Sequence, residues 1–327
     1  MIIKRKGAAP VLIKNVKRNN LRYLWLYNSL CKIAIYLICL VICAGGFVRM
    51  TGSGMGCPDW PKCFGYWIPP TDISDLPNNY KEIYSERGYD RLDFNVFNTW
   101  TEYINRLLGF IAGLVCVALL IVSFFTKNKR LILLSFLLVF LMGFQAWMGA
   151  LVVYSLLTPF KISIHMIIAL FIMSLTFFLY RITTQHSCSV RISHKTWLWV
   201  ALCISIIQIV FGTQVREEVD ALLIYGDRFN IIDQLPFVFE LHRTIAWLVF
   251  AANAWIIYYY REVFSFYVEF RFIIITILSL ILSGILMSYH NISGFYQLSH
   301  LLFAVSLFIC QASILLKNLT RPIVSFP

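Results

Sequence analysis

Eight stretches of this chain, near residues 32–50, 104–126, 131–154, 162–180, 197–215, 244–260, 272–289 and 298–316, are apolar over the length of a bilayer crossing. About 20 residues of helix cover the hydrocarbon layer, and in lipid every backbone N–H and C=O must be bonded within the protein, so such stretches fold as helices. Charged residues make up 13% of the 327 residues, against about 25% in soluble proteins. Lipid is therefore the solvent. The first stretch starts near residue 32 and no small-residue cleavage site follows it, so it reads as a retained span rather than a cleaved signal.

The net charge of +12 resembles a nucleic-acid-binding signature until it is mapped onto the loops. With the N-terminus inside and the loops alternating, the inner side receives 18 of the 28 Lys and Arg residues but only Glu262 and Glu269 among the acids. Insertion follows Lys/Arg bias in short loops, so topology accounts for the charge and a nucleic-acid partner is not expected. Both termini are expected in the cytoplasm of a bacterial inner-membrane protein.

Six of the nine cysteines (Cys31, Cys39, Cys43, Cys116, Cys203 and Cys310) lie in the apolar stretches and read as small membrane residues. Cys188 falls in a cytoplasmic loop, where thiols stay reduced. Cys57 and Cys63 fall outside, in Cys57-Pro-Asp-Trp-Pro-Lys-Cys63. An oxidising compartment favours a disulfide there. A metal pair is the other reading, although no further Cys or His in the two large outer loops, about 51–99 and 216–240, completes a zinc site. The first loop is too short and polar to be a domain and reads as a cap over the outer helix ends.

An internal repeat organises the rest. Asn105 opens the second stretch as His242 opens the sixth, and Ser163-Ile-His165 opens the fourth as Leu298-Ser299-His300 opens the eighth. The separation of Asn105 from His242 nearly equals that of His165 from His300. The expected architecture is all-α: two tandem four-helix units at 32–180 and 197–316. They are flanked by a cytoplasmic segment 1–31, a linker 181–196 and a tail 317–327.

Six histidines are present. His186 and His194 lie in a cytoplasmic loop and read as solvated, and His290 ends the seventh span at the interface. His165, His242 and His300 each sit at the outer end of an even-numbered span, and thus at one membrane depth. Two imidazoles on facing helices of a bundle can hold a haem iron between them, which His242 and His300 are placed to do. Isolated interfacial histidines have a bland explanation, but three at repeat positions are harder to assign to chance, since ionisable groups in the membrane are costly. In the first unit Asn105 stands where a second histidine is expected. An amide is a poor iron ligand, so His165 would hold a haem alone, with one face open. Glu102 shares a helix face with Asn105 and could act as a base or stabilise a developing cation; a surface carboxylate at a helix N-terminus is an equal alternative. Arg106 and Arg243 follow the two ligand positions and are candidates for pairing with haem propionates, with interfacial snorkelling as the alternative.

These residues resemble the haem A synthase family over nearly the whole chain. The resemblance rests on Gly46-Phe-Val-Arg49-Met-Thr51-Gly52-Ser53-Gly54, the Cys57–Cys63 segment, Glu102-Tyr-Ile-Asn105-Arg106, Gly212-Thr-Gln-Val-Arg216-Glu217 and the three histidines. It implies oxidation of the C8 methyl of haem O to a formyl group by two hydroxylations and loss of water. It further implies haem b on His242 and His300, haem O on His165, Glu102 as catalytic carboxylate and a Cys57–Cys63 disulfide. Asn105 departs from the family, which carries histidine there. Implied partners are haem O, the haem O synthase, an unidentified electron acceptor or donor, the bilayer and a second copy of the chain. A dihaem electron-transfer subunit and a haem carrier are the rival readings. A prenyltransferase is excluded by the lack of Asp-rich diphosphate–magnesium clusters.

Overall fold

A backbone in lipid can satisfy itself only by coiling, and the chain does so almost throughout. A computed structural model describes residues 18–154, 160–184, 192, 194–225, 231–290 and 292–319. Its helices are α1 (Arg18–Met50), a one-turn α2 (Tyr80–Ile83), α3 (Val96–Thr126), α4 (Lys129–Tyr154), α5 (Lys161–Thr183), α6 (Thr196–Tyr225), α7 (Phe237–Tyr259), α8 (Val268–Tyr289) and α9 (Gly294–Leu319). No strand occurs among the described residues. This is a multi-pass membrane protein. His186 and Cys188 lie outside the described residues.

Seven of the described helices are long and apolar enough to cross a membrane, rather than the eight expected. The helix left out is α7, which is long but carries Glu240, His242, Arg243 and Asn253 among its tryptophans and tyrosines. Several boundaries also move outward from the apolar runs. The N-terminal helix starts at Arg18 rather than near residue 32, because Leu24, Tyr27 and Cys31 bury one face of the extension, and Tyr27 Oη bonds Ser135 Oγ at 2.7 Å. Helix α3 starts at Val96, where Asn95 accepts a capping bond from the Asn98 N–H. Helix α6 continues to Tyr225, so Arg216, Glu217 and Asp220, expected in a loop, are helical.

The long helices form two groups. In the first, α1 packs on α3 and α5, α3 on α4, and α4 on α5. In the second, α6 packs on α7 and α9, and α8 on α9, whereas α7 and α8 touch only lightly. The groups meet where α1 and α5 pack on α9, and α5 on α6. Glycines let the groups approach: a Cβ on Gly46 would lie 2.7 Å from Leu298 Cδ1, and one on Gly294 2.8 Å from Met50 Cγ.

Polar side chains within the second group bond across helices. Gln311 Nε2 donates to Ser205 Oγ at 3.0 Å and to Asn253 Oδ1 at 2.9 Å, joining α9, α6 and α7. Interhelical bonds of this kind average about 0.6 kcal/mol in lipid and reach about 1.7. Asn253→Ala should therefore lower the unfolding free energy in detergent by about 0.5–2 kcal/mol, whereas Asn253→Leu combined with Gln311→Leu should cost less than the single alanine change. Equal stability of Asn253→Ala and the unmodified protein would show that the network does not join the helices.

Candidate functional site

Three of the six histidines lie near the starts of long helices: His165 on α5, His242 on α7 and His300 on α9. Near the starts of α7 and α9, His242 and His300 face each other with ring centroids 6.4 Å apart and planes inclined by 65°. Ser283 Oγ on α8 lies 2.9 Å from His300 Nδ1, which leaves Nε2 as the nitrogen open to a ligand. Gln208 on α6 donates to the His242 carbonyl at 3.0 Å, and among the described residues its Oε1 is buried without a partner, as is His242 Nδ1. His165, on α5 in the other helix group, makes no ring contact with this pair among the described residues.

Each candidate position rests on a glycine of a neighbouring helix. A Cβ on Gly212 (α6) would come within 3.1 Å of His242 Cε1; one on Gly284 (α8) would lie 3.7 Å from His300 Cε1. One on Gly149 (α4) would lie 3.5 Å from His165 Cε1, and one on Gly45 (α1) 3.9 Å from Asn105 Oδ1. Asn105 thus has the same packing relation as the three histidines, and its buried Oδ1 has no partner among the described residues. His165 is served by Gln145 as His242 is by Gln208: Gln145 donates to the His165 carbonyl at 3.1 Å, and His165 Nδ1 is buried without a partner among the described residues.

Glu102 is buried, yet it faces the outer loop as well as the helices. Its Oε2 accepts from the Cys57 N–H at 3.0 Å and its Oε1 pairs with Arg106. Arg106 also donates to the carbonyls of Cys57, Asp59 and Lys62. Its guanidinium is therefore committed to the Cys57–Cys63 loop, which a disulfide closes. The loop turns on Asp59, whose carboxylate accepts from the Phe64 and Gly65 N–H groups. Gly56 crosses α3 so closely that a Cβ there would meet Asn98 O at 2.3 Å. Above it, Phe64 packs edge-on against Tyr80, Tyr84, Tyr89 and Phe94, giving the cap an aromatic core. Burial pushes the Tyr89 phenol pKa up, and the nearby Glu102 charge adds to it.

Arg243, by contrast, is exposed at the outer end of α7, over the Phe239 ring and 3.9 Å from Glu240. His290 stacks near Tyr296, and the His194 carbonyl accepts from Tyr260; neither histidine joins the site. Sequence reasoning missed the glycines, the two glutamines and the ion cluster in which Asp220 pairs with both Arg49 and Arg216. A signal was present: Gly45-Gly-Phe-Val-Arg49 and Gly212-Thr-Gln-Val-Arg216 share a Gly-x-x-Val-Arg pattern, repeated between α1 and α6.

The family pattern described as cytochrome oxidase assembly protein (COX15-CtaA) matches residues 28–312. A protein named Heme A synthase from Ehrlichia canis is 30% identical over 207 residues, 58% of each chain. One of that name from Rickettsia prowazekii is 29% identical over 272 residues, 72% of this chain and 78% of the relative. Another, from the Wolbachia of Brugia malayi, is 27% identical over 325 residues, 87% of this chain and 93% of the relative.

Removing one partner of a buried ion pair leaves an uncompensated charge, at a cost of about 3–5 kcal/mol. Arg106→Ala strands Glu102 and frees three loop carbonyls at once. It should make the Cys57–Cys63 bond reducible by mild thiol in folded protein, followed by alkylation and mass spectrometry. A reduction rate equal to that of the unmodified chain would show that Arg106 does not hold the loop.

Proposed function

The chain belongs to the cytochrome oxidase assembly family (COX15-CtaA), and from that premise we propose that it is a haem A synthase, oxidising the C8 methyl group of haem O to a formyl group. Each of two hydroxylations replaces a methyl C–H bond with C–OH, a two-electron oxidation that requires an oxidant supplied from outside the chain, and the geminal diol then loses water to give the aldehyde, with the carbon skeleton intact. The aligned relatives are named for this activity. The finer reading takes all eight long helices as spans, in two tandem four-helix units with both termini in the cytoplasm. The matching glycine contacts of Asn105, His165, His242 and His300 support the repeat.

The observation that carries the site assignment is the spacing of His242 and His300. A transition metal binds an imidazole nitrogen at about 2 Å, and two such bonds with about 1 Å from each nitrogen to its ring centre give about 6 Å. The 6.4 Å separation fits one iron between the rings, so these two residues would hold haem b. Haem b held by these two imidazoles would supply electron transfer. The Ser283 contact fixes the His300 ring as second partners of ligating imidazoles commonly do.

In the first unit His165 would be the single protein ligand for haem O, since the Asn105 amide is a poor iron ligand. Glu102 is the candidate catalytic carboxylate, acting on a proton or a developing positive charge at the substrate methyl. It would reach substrate by exchanging its bonds to Arg106 and the Cys57 N–H. Arg243, open at the outer end, suits a propionate, whereas the bonds of Arg106 are directed to the cap. A dihaem electron-transfer subunit would want two closed irons, and Asn105 argues against that.

Membranes from cells lacking this chain should accumulate haem O and contain no haem A in extracted pigments, and restoring the chain should reverse this. Unchanged haem A would overturn the function. His242→Ala should abolish the low-spin haem b spectrum while haem at His165 is retained; equal loss of both would contradict separate sites. Asn105→His should add a strong-field ligand, shift the first haem toward low spin and lower haem A formation. An unchanged spectrum would mean that position 105 does not face the iron.

A further inference from the structure

Helix α6 belongs to the second group, yet it serves three different neighbours. Gln208 and Gly212 contact His242 on α7. Arg216 and Asp220 meet Arg49 on α1: Asp220 pairs with both arginines, and Arg216 donates to the Arg49 carbonyl at 2.8 Å. Thr213 and Glu217, four residues apart and so on one face, reach across to the start of α5. Thr213 Oγ1 donates to its own helix at the Val210 carbonyl, so in its 2.5 Å contact with Ser163 Oγ the serine is the donor. Glu217 Oε2 accepts from the Phe160 N–H at 3.3 Å.

That last bond falls at an unusual place. Phe160 is the N-cap of α5, has φ +67° and offers no side-chain cap of its own. A bulky residue at positive φ is strained and persists only when its surroundings hold it. The first N–H groups of a helix also need acceptors, and a carboxylate is the favoured one. Glu217 supplies it from another helix. Glu217 is 9% exposed, and its Oε1 is buried without a hydrogen-bond partner among the described residues. The charges around it are Arg49, Asp220 and Glu218. Ser163 and Thr213 are buried beside it. His165 follows within two turns on the helix so anchored.

We propose that Glu217, with Thr213, is a positioning residue for His165: the second helix group caps α5 from outside and sets the depth and orientation at which His165 presents its ring. The proposal rests on the reading of His165 as an iron ligand. It makes α6 the common support of both sites, since the same helix seats His242 against Gly212. A shift of α6 on changing the His242 site would then move the cap of α5.

The test uses full-length protein in detergent, titrated with ferric haem b and followed by Soret absorption, with amide hydrogen exchange of residues 161–166 measured on unloaded protein. Glu217→Leu should weaken the His165-dependent haem at least tenfold and speed exchange in those residues, with the low-spin His242/His300 spectrum unchanged. Glu217→Gln keeps an acceptor for the Phe160 N–H and should stay near the unmodified protein. Phe160→Gly in the Glu217→Leu background should recover part of the affinity, because glycine takes positive φ without strain. The proposal is overturned if Glu217→Leu changes neither affinity nor exchange, if Glu217→Gln is as impaired as leucine, or if glycine gives no recovery. A His165→Ala protein that binds haem as the unmodified chain does would instead remove the ligand reading, and the proposal with it; the exchange data separate the two failures.

Discussion

An imidazole laid against a glycine is the contact from which the geometry of this protein follows. Two helices separated by ordinary side chains would hold a ring away from the neighbouring backbone. With Gly212, Gly284 and Gly149 beneath them, His242, His300 and His165 sit tight to the next helix and their orientations are restricted. Small residues at helix contacts are the usual means of close approach in lipid, where no hydrophobic force drives helices together. Gly45 beneath Asn105 completes the set. The glutamines that hold the carbonyls of His165 and His242 fix the same turns from the side.

From that common plan the two helix groups diverge. The second brings two imidazoles to 6.4 Å, with α7 and α8 barely touching alongside them. The first has one imidazole and one amide, close packing of α3 on α4, and a tightly bonded cap over its outer end. On the proposed reading, one site is closed for electron transfer and the other is left with a free face for oxidation. On the same reading the cap belongs with the second role: Glu102 and Arg106 tie it to the helix that carries Asn105, so chemistry there would be shielded by a loop anchored beside the proposed site.

Much of this was legible from residues 32–316. Apolar run length gave the helices, and histidines at matching places in two halves gave the pairing of His242 with His300, because a repeat preserves position even where loops differ. Helix ends were less legible. The polar residues of Arg18–Lys32 and Arg216–Asp220 do not look like membrane, yet both segments are helical because they bury a face against neighbours. The bonds of Arg106 were hidden for a related reason: a sequence shows a cation near a candidate ligand position but not the loop carbonyls that fold back onto it. Glu217 as a cap for α5 was invisible, since it joins segments far apart in the chain.

The central claim is that two haem sites built on one plan differ in the number of histidine ligands. Electron paramagnetic resonance of the ferric protein loaded with two equivalents of haem measures this directly. The account predicts one low-spin iron, from the site of His242 and His300, and one high-spin iron, from the site of His165 and Asn105, in equal amounts. Two low-spin irons in the unmodified chain would contradict it, because Asn105 would then not be leaving a face of the first haem open.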